Sequence, residues 1–463
     1  MLNKGGNDIA KKMGIVALLL FGVYVLCMYW YIFHSGGGTI PRAMQGTAAD
    51  PVMFMSEKEL YLSGEYSKIR NFLFFVATPL EWLIYFMILI MGVSRYFEKV
   101  ATSQTKWKLL QNASYLFLLS LLLYVVLFPL DYYRYNLSKT YGISTQGFSS
   151  WMRDGIIDFW VNFGMSLIIV SVLYWLIKKS AKRWWLYAWF LTIPFTIFVM
   201  FIQPVVIDPL YNDFYPLKNK ELETKILSIA TQANIPAEHV YEVNMAEKTN
   251  ALNAYVTGIG SNSRIVLWDT TLNRLTDNEI LFIMAHEMGH YVEKHIYFGI
   301  AGYLLLTLLG LWLTAKCLRW FIRRYGQVLK IKKIGDIGSY PLFLLLTSVL
   351  LFASSPLSNY ISRYQENRAD QYAISLTGDR ESAVTAFQKL TISGLSEVNP
   401  QLLVKWFRYT HPPMLERIYK VAEKVEENKE EPLKEVPLKE EQKKRTSEEM
   451  NVAKSSRAIL QVF

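Results

Sequence analysis

Apolar runs long enough to cross a bilayer core of about 30 Å punctuate this chain, and we count seven of them. The first, Met13 to Phe33, carries no charge and follows Lys11 and Lys12; it is too long and too aromatic for a cleaved leader and reads as a retained anchor. The second, Phe72 to Val93, is interrupted by Pro79 and Glu81, and a carboxylate at that depth has to face protein or water. Leu109 to Leu130 and Ile156 to Ile177 are the third and fourth. The fifth, Trp184 to Ile207, is broken by Pro194 and flanked by tryptophans suited to the interface. Ile296 to Ala315 and Pro341 to Ile361 complete the set.

Between the fifth and sixth runs the pattern changes. Lys218 to Ala233 has the period of an amphipathic helix, stopped by Asn234 and Pro236. Val240 to Asn244, Ala251 to Thr257 and Arg264 to Trp268 read as short strands, with Gly258 to Asn262 as a turn. Thr276 and Glu279 then form a capping box that opens a helix from about Asp277 to His295, continuing straight into the sixth span. The seventh span likewise runs into a polar helix. Beyond Glu423 lie alternating Glu and Lys with two Pro-Leu-Lys-Glu copies, too polar to bury a core and read as disordered. The resulting division is 1–210 for five spans, 211–295 for a soluble segment, 296–361 for two spans, 362–423 for a second polar segment and 424–463 for the tail.

Composition agrees with a membrane protein: 52% of the 463 residues are hydrophobic and 15% aromatic. Cys27 and Cys317 both sit in apolar stretches, which excludes a disulfide framework and a cysteine-based metal site. The net charge of +10 is carried by short loops between apolar runs, a distribution that marks membrane topology and argues against nucleic acid as a partner.

The chemistry concentrates in His286-Glu287-Met288-Gly289-His290. Residues four apart share a helical face, so the two imidazoles can grip one metal ion with Glu287 beside it to take a proton from water. Zinc, one per chain, suits two imidazoles, one further ligand and an open position for water. The next polar helix on the same side offers Glu366 and Asp370, again four apart on one face. The long pattern with a third histidine is excluded, because Glu293 and Ile296 stand where it needs glycine and histidine. His295, five residues after His290 on an unbroken helix, falls off the ligand face and reads as a polar interface residue.

These residues, together with Pro209 to Leu217, Asn253 to Gly258, Arg264 to Asp269, Glu366 to Asp370 and His411 to Pro413, resemble the integral-membrane CAAX prenyl proteases, from about the second span to Glu423. The resemblance implies seven transmembrane helices carrying a zincin-like α+β catalytic domain. It implies His286, His290 and Glu366 as zinc ligands, Glu287 as base, an acid or orienting role for Asp370, and supporting roles for Asn253, His411 and Arg417. Its substrate would be a peptide or membrane protein. Asn367 and Arg368 depart from the usual Phe-Gln of that family. A protonated His411 or Arg417 is the candidate donor to the oxyanion. The strand of Asn253 and Tyr255 is placed to pair edge-on with an extended peptide.

Two other readings compete: a site-2-type intramembrane metalloprotease, which would bury its motif within an apolar span, and a transporter using Glu81 and Asp158. The polar residues around the motif, Asp277, Asn278, Glu279, Glu293 and Lys294, point to a wetter site than the first rival needs. Lysines and arginines at the amino terminus and after spans two, four and six all fall on one side, which the positive-inside rule makes cytoplasmic. That reading places the chain in a bacterial plasma membrane with its site near the outer surface. The eukaryotic members of the resembling family face theirs to the cytosol.

Overall fold

The computed structural model describes residues 4–237, 239–257 and 264–430, with side chains from residue 8 to residue 422. The Gly258–Asn262 turn and nearly all of the charged tail fall outside the described residues.

Among the described residues, seven helices are long and apolar enough to cross a membrane. They are α1 (Lys4–His34), α2 (Glu57–Met91), α4 (Lys108–Thr140), α5 (Phe148–Lys179), α6 (Trp184–Ile202), α10 (His295–Tyr325) and α11 (Tyr340–Thr377). A short amphipathic helix, α3 (Val93–Gln104), follows the left-handed Gly92 that ends α2. Two expected interruptions are absent. Pro79 and Pro194 both sit inside continuous helices, where neighbouring helices and a lipid environment tolerate the lost hydrogen bond. The fifth span instead loosens in its last residues, in a π turn over Gln203–Ile207 that follows α6.

The basic loops meet at one end of the helix bundle. Ser94 Oγ donates to Gly338 O at 2.7 Å, Lys330 Nζ donates to Met91 O at 3.0 Å, and the Tyr174 and Ser339 hydroxyls lie 2.8 Å apart. The soluble segment caps the other end, held partly by Lys248 Nζ on Asp154 at 2.7 Å and by Thr145 N on Lys248 O at 3.2 Å.

That segment holds a four-stranded sheet of β1 (Phe214–Pro216), β2 (Val240–Val243), β3 (Ala254–Thr257) and β4 (Arg264–Trp268), in spatial order β1-β2-β4-β3. Only β2 and β4 run parallel; β3 pairs antiparallel with β4 and forms an edge. β1, three residues long, is too short to announce itself by alternation. The amphipathic helix is α7 (Lys220–Gln232), capped by Asn219, and α8 (Asp269–Arg274) leads from the sheet to α9 (Asp277–Val292).

Helix α9 is the centre of this domain. Its start is a capping box: Thr276 N donates to Glu279 Oε2 at 2.7 Å, and the Thr276 hydroxyl accepts from Glu279 N. Glu279 is also clasped by Lys389 at 2.7 Å from α12 (Arg380–Ser393). Ile280, Phe282, Met284, Ala285 and Met288 bury the helix's apolar faces in the domain core. The motif helix does not continue into the sixth span as the sequence pattern suggested. It ends at Val292, and Lys294, in left-handed conformation at φ 58°, turns the chain before α10 begins at His295. The seventh span does continue: α11 passes Pro356 unbroken and carries its polar end alongside α9. Two further helices, α13 (Leu402–Phe407) and α14 (Met414–Glu430), complete the described chain.

Candidate metal centre

Close packing of α9 on α11 builds the site. A Cβ at Gly289 would stand 3.1 Å from Ala369 Cα and 3.3 Å from its carbonyl oxygen, so glycine at this point lets the helices approach. Ala369 and Ala373 supply the small residues opposite, both fully buried.

Across this seam His286, His290 and Glu366 converge. His286 Nε2 and His290 Nε2 are 3.2 Å apart; Glu366 Oε2 lies 3.2 Å from the first and Glu366 Oε1 3.3 Å from the second. Around a tetrahedral ion with bonds of about 2.0–2.1 Å, ligand atoms stand about 3.3 Å apart; two imidazole nitrogens and one carboxylate oxygen, all within 4.8 Å of one another, suit a zinc-sized ion. The surrounding field also favours positive charge. Burial alone would depress His286, yet the Asp370 and Glu366 carboxylates outweigh it and hold the imidazole up to about 10.

The ligands have partners of their own. His286 Nδ1 lies 2.8 Å from Asp370 Oδ1, the arrangement that fixes a metal-binding tautomer. Arg417 grips Asp370 with two bonds, Nε at 2.9 Å and Nη2 at 2.6 Å, and is itself buried against the Phe387 ring. Arg417 is therefore committed to Asp370, and its nearest approach to Glu366 is 3.8 Å. On the other ligand, His290 Nδ1 meets His295 Nδ1 at 3.0 Å. His295 is buried and lies in the metal neighbourhood after all. It stays outside the ligand set, and the turn at Lys294 brings its ring against His290.

Glu287 lines a cavity of about 370 Å³ together with His286, Asn253, Ala254 and His411. Burial pushes the Glu287 carboxyl up, against the opposing influence of the two histidines. His411 Nε2 stands 3.5 Å from Glu366 Oε1, and its Nδ1 is 2.9 Å from the Thr410 hydroxyl. Burial pulls His411 down, with Glu366 opposing in part, while its side chain keeps 58% of its surface exposed. Asn253 is fixed by Thr271, which accepts from its N–H at 2.9 Å and donates to its carbonyl at 2.8 Å. Tyr255 is half-buried on the edge strand and does not line the cavity. The departing residues Asn367 and Arg368 contact Lys420 and Glu293.

The metal motif lies in the soluble domain, packed against α7, β3 and α12, which the site-2 arrangement does not provide. Comparison with known proteins gives the same direction. Residues 216–425 match the profile of Peptidase family M48, and residues 38–213 that of the CAAX prenyl protease N-terminal region, described as five membrane helices. An uncharacterised metalloprotease of Bacillus subtilis, YhfN, is 54% identical over 90% of this chain and 97% of its own. CAAX prenyl protease 1 of Saccharomyces cerevisiae is 29% identical over 66% of this chain and 71% of its own. The crystal structure of S. mikatae Ste24p superposes with a TM-score of 0.73 at 24% identity, covering 91% of this chain and all of that one, a likeness of fold.

Proposed function

The chain belongs to peptidase family M48, and from that membership we propose a zinc-dependent endopeptidase that cuts near the carboxyl ends of membrane-attached polypeptides. Membrane metalloprotease is the established part, and it leaves the transporter reading without support. The observation that carries the rest is the convergence of His286, His290 and Glu366 at 3.2–3.3 Å, backed by Asp370 and Arg417.

His286, His290 and Glu366 would hold the ion. Bound there, zinc supplies Lewis acidity toward a water and the scissile carbonyl. Glu287, its basicity raised by burial, takes the proton from the attacking water and passes it to the leaving amine. Asp370, 2.8 Å from His286 Nδ1, orients that imidazole and Arg417 holds Asp370 in register. His295 does the same service for His290. The Nε2–H of His411 donates to the oxygen that gains charge. A substrate lying extended along β3, next to Asn253, would be read through its backbone.

The relatives are named for CAAX prenyl processing, and we carry over cleavage of short carboxyl-terminal tails without requiring a prenyl group. A peptide library offered with and without a farnesyl thioether, analysed by mass spectrometry, tests this. Zinc-dependent cuts within the last few residues support it; cuts scattered along the peptides, or none without the farnesyl group, contradict it.

We also propose that the basic end of the bundle lies in the cytoplasm of a bacterial cell and the metal centre opens outside. Its support is the clustering of Arg95, Lys178, Lys330 and their neighbours at one end, across from the sheet. In intact cells, an impermeant thiol reagent should label Thr224→Cys and spare Gln327→Cys. The reverse pattern overturns the orientation and leaves the chemistry intact.

A further inference from the structure

The cavity beside the metal centre has a second wall, and its chemistry is unlike the first. It is made by one face of α2, by Ser396 and Glu397, and by the turn and bend residues Arg408 to Pro412 after α13. Ser67 Oγ donates to Leu395 O at 3.2 Å and accepts from Glu397 N at 3.1 Å, which pins the segment from Leu395 to Glu397 to α2. Two guanidinium groups line this wall. Arg408 donates to the neutral side chain of Asn71, and Arg70 lies over the Tyr66 ring at 5.0 Å. Among the described residues no carboxylate comes within 4.0 Å of either, whereas Arg417 in the same cavity is doubly paired. Burial pulls Arg408 down to about 10, and Arg70 beside it adds to the effect. Glu397 is the neighbouring acid, but its Oε2 accepts from Asn71 at 3.3 Å and burial pushes it up to about 7. Two adjacent cations held partly out of water, with no carboxylate in ion-pair contact, are a preformed anion site.

The distance to the metal centre is set by the chain itself. Arg408 is three residues from His411, whose ring stands 3.5 Å from Glu366. Three extended residues span at most about 10–11 Å. Arg408 is in helical conformation and Thr410 and His411 form a bend, so the backbone separation is shorter than that limit.

We propose that Arg70 and Arg408 receive the free carboxylate of the substrate's last residue, so that the enzyme selects chain ends. The inference rests on reading the metal centre as a peptidase site. A guanidinium pair forms charge-assisted bonds to a terminal carboxylate that it cannot form to an amide, each worth about 1.5–3 kcal/mol, or about 10–100-fold in affinity.

The test compares one fluorescent tetrapeptide as free acid and as carboxyl-terminal amide, using the zinc-loaded full chain in detergent, with binding read by anisotropy. The acid should bind at least about tenfold tighter. Arg408→Gln and Arg70→Gln should each bring the ratio toward one, and Arg408→Lys should restore part of it, which separates lost charge from lost folding. Equal binding of acid and amide by the unaltered protein overturns the proposal, as does a preference that survives both glutamine variants. An amide with glutamate at the last position is the second arm: if it binds as tightly as the free acid, recognition is of any carboxylate and selection of chain ends is refuted. Because binding is read without turnover, a preserved acid preference with no cleavage of either peptide would sustain the anion site and sink the peptidase reading.

Discussion

The two walls of the cavity solve opposite problems. On the α9–α11 wall the metal ligands and their supports are answered in series: Arg417 to Asp370, Asp370 to His286, His286 and His290 to Glu366, His290 to His295. On the α2 wall Arg70 and Arg408 meet a ring and an amide. A chain of matched partners fixes positions to a fraction of an ångström, which is what ligands for an ion with short bonds require. Unmatched cations hold desolvation cost in reserve, and it is recovered only when an anion arrives. The saturated wall is built for a permanent guest and the unsaturated wall for a passing one.

Breaking the saturated wall has the largest expected effect. Glu366→Ala removes a ligand and should take zinc content from about one per chain to near zero, with activity lost in parallel. Asp370→Ala removes only the support of His286. Zinc should remain in stoichiometric preparations, while competition with a chelator shows affinity down by about 10–100-fold. If the two variants lose zinc to the same degree, the distinction between ligand and support fails.

The unsaturated wall gives a smaller, pH-dependent effect. Glu397 faces Lys68, Arg70, Arg408, Tyr409 and Asn71, and its carboxyl titrates at about 7, above the ordinary carboxylate range. Above that pH it is ionised and competes for the guanidinium groups; below it the proton removes the competitor. A terminal carboxylate stays ionised throughout. The acid-over-amide binding ratio should therefore rise severalfold as pH falls from about 8 to about 6, and Glu397→Gln should flatten the profile at its low-pH level. A ratio that falls over this range would exclude Glu397 as the competitor.

The same contrast separates what the sequence displayed from what it concealed. The metal wall was legible because its determinants are local: His286 and His290 one helical turn apart, Glu366 and Asp370 likewise, and a capping box at Thr276. Which carboxylate would face the ion and which would back His286 depended on the docking of two helices at Gly289, and spacing does not encode that. The contact of His295 with His290 was hidden for a physical reason, since one left-handed residue at Lys294 resets the helical phase. Spans were legible from length and apolarity; the Pro194 break was not there because lipid and neighbouring helices relax the rule that holds in water. The anion wall was invisible, because 337 residues separate Asn71 from Arg408 and neither lies in a recognisable pattern.

The central claim, that Glu287 is the base at a zinc centre held by other residues, is tested most directly in Glu287→Gln. Zinc content and peptide cleavage are measured on the same purified sample. The account predicts zinc at about one per chain and cleavage reduced by at least about 10³-fold, because the ligands remain and the base is gone. Cleavage near the unaltered rate would contradict it.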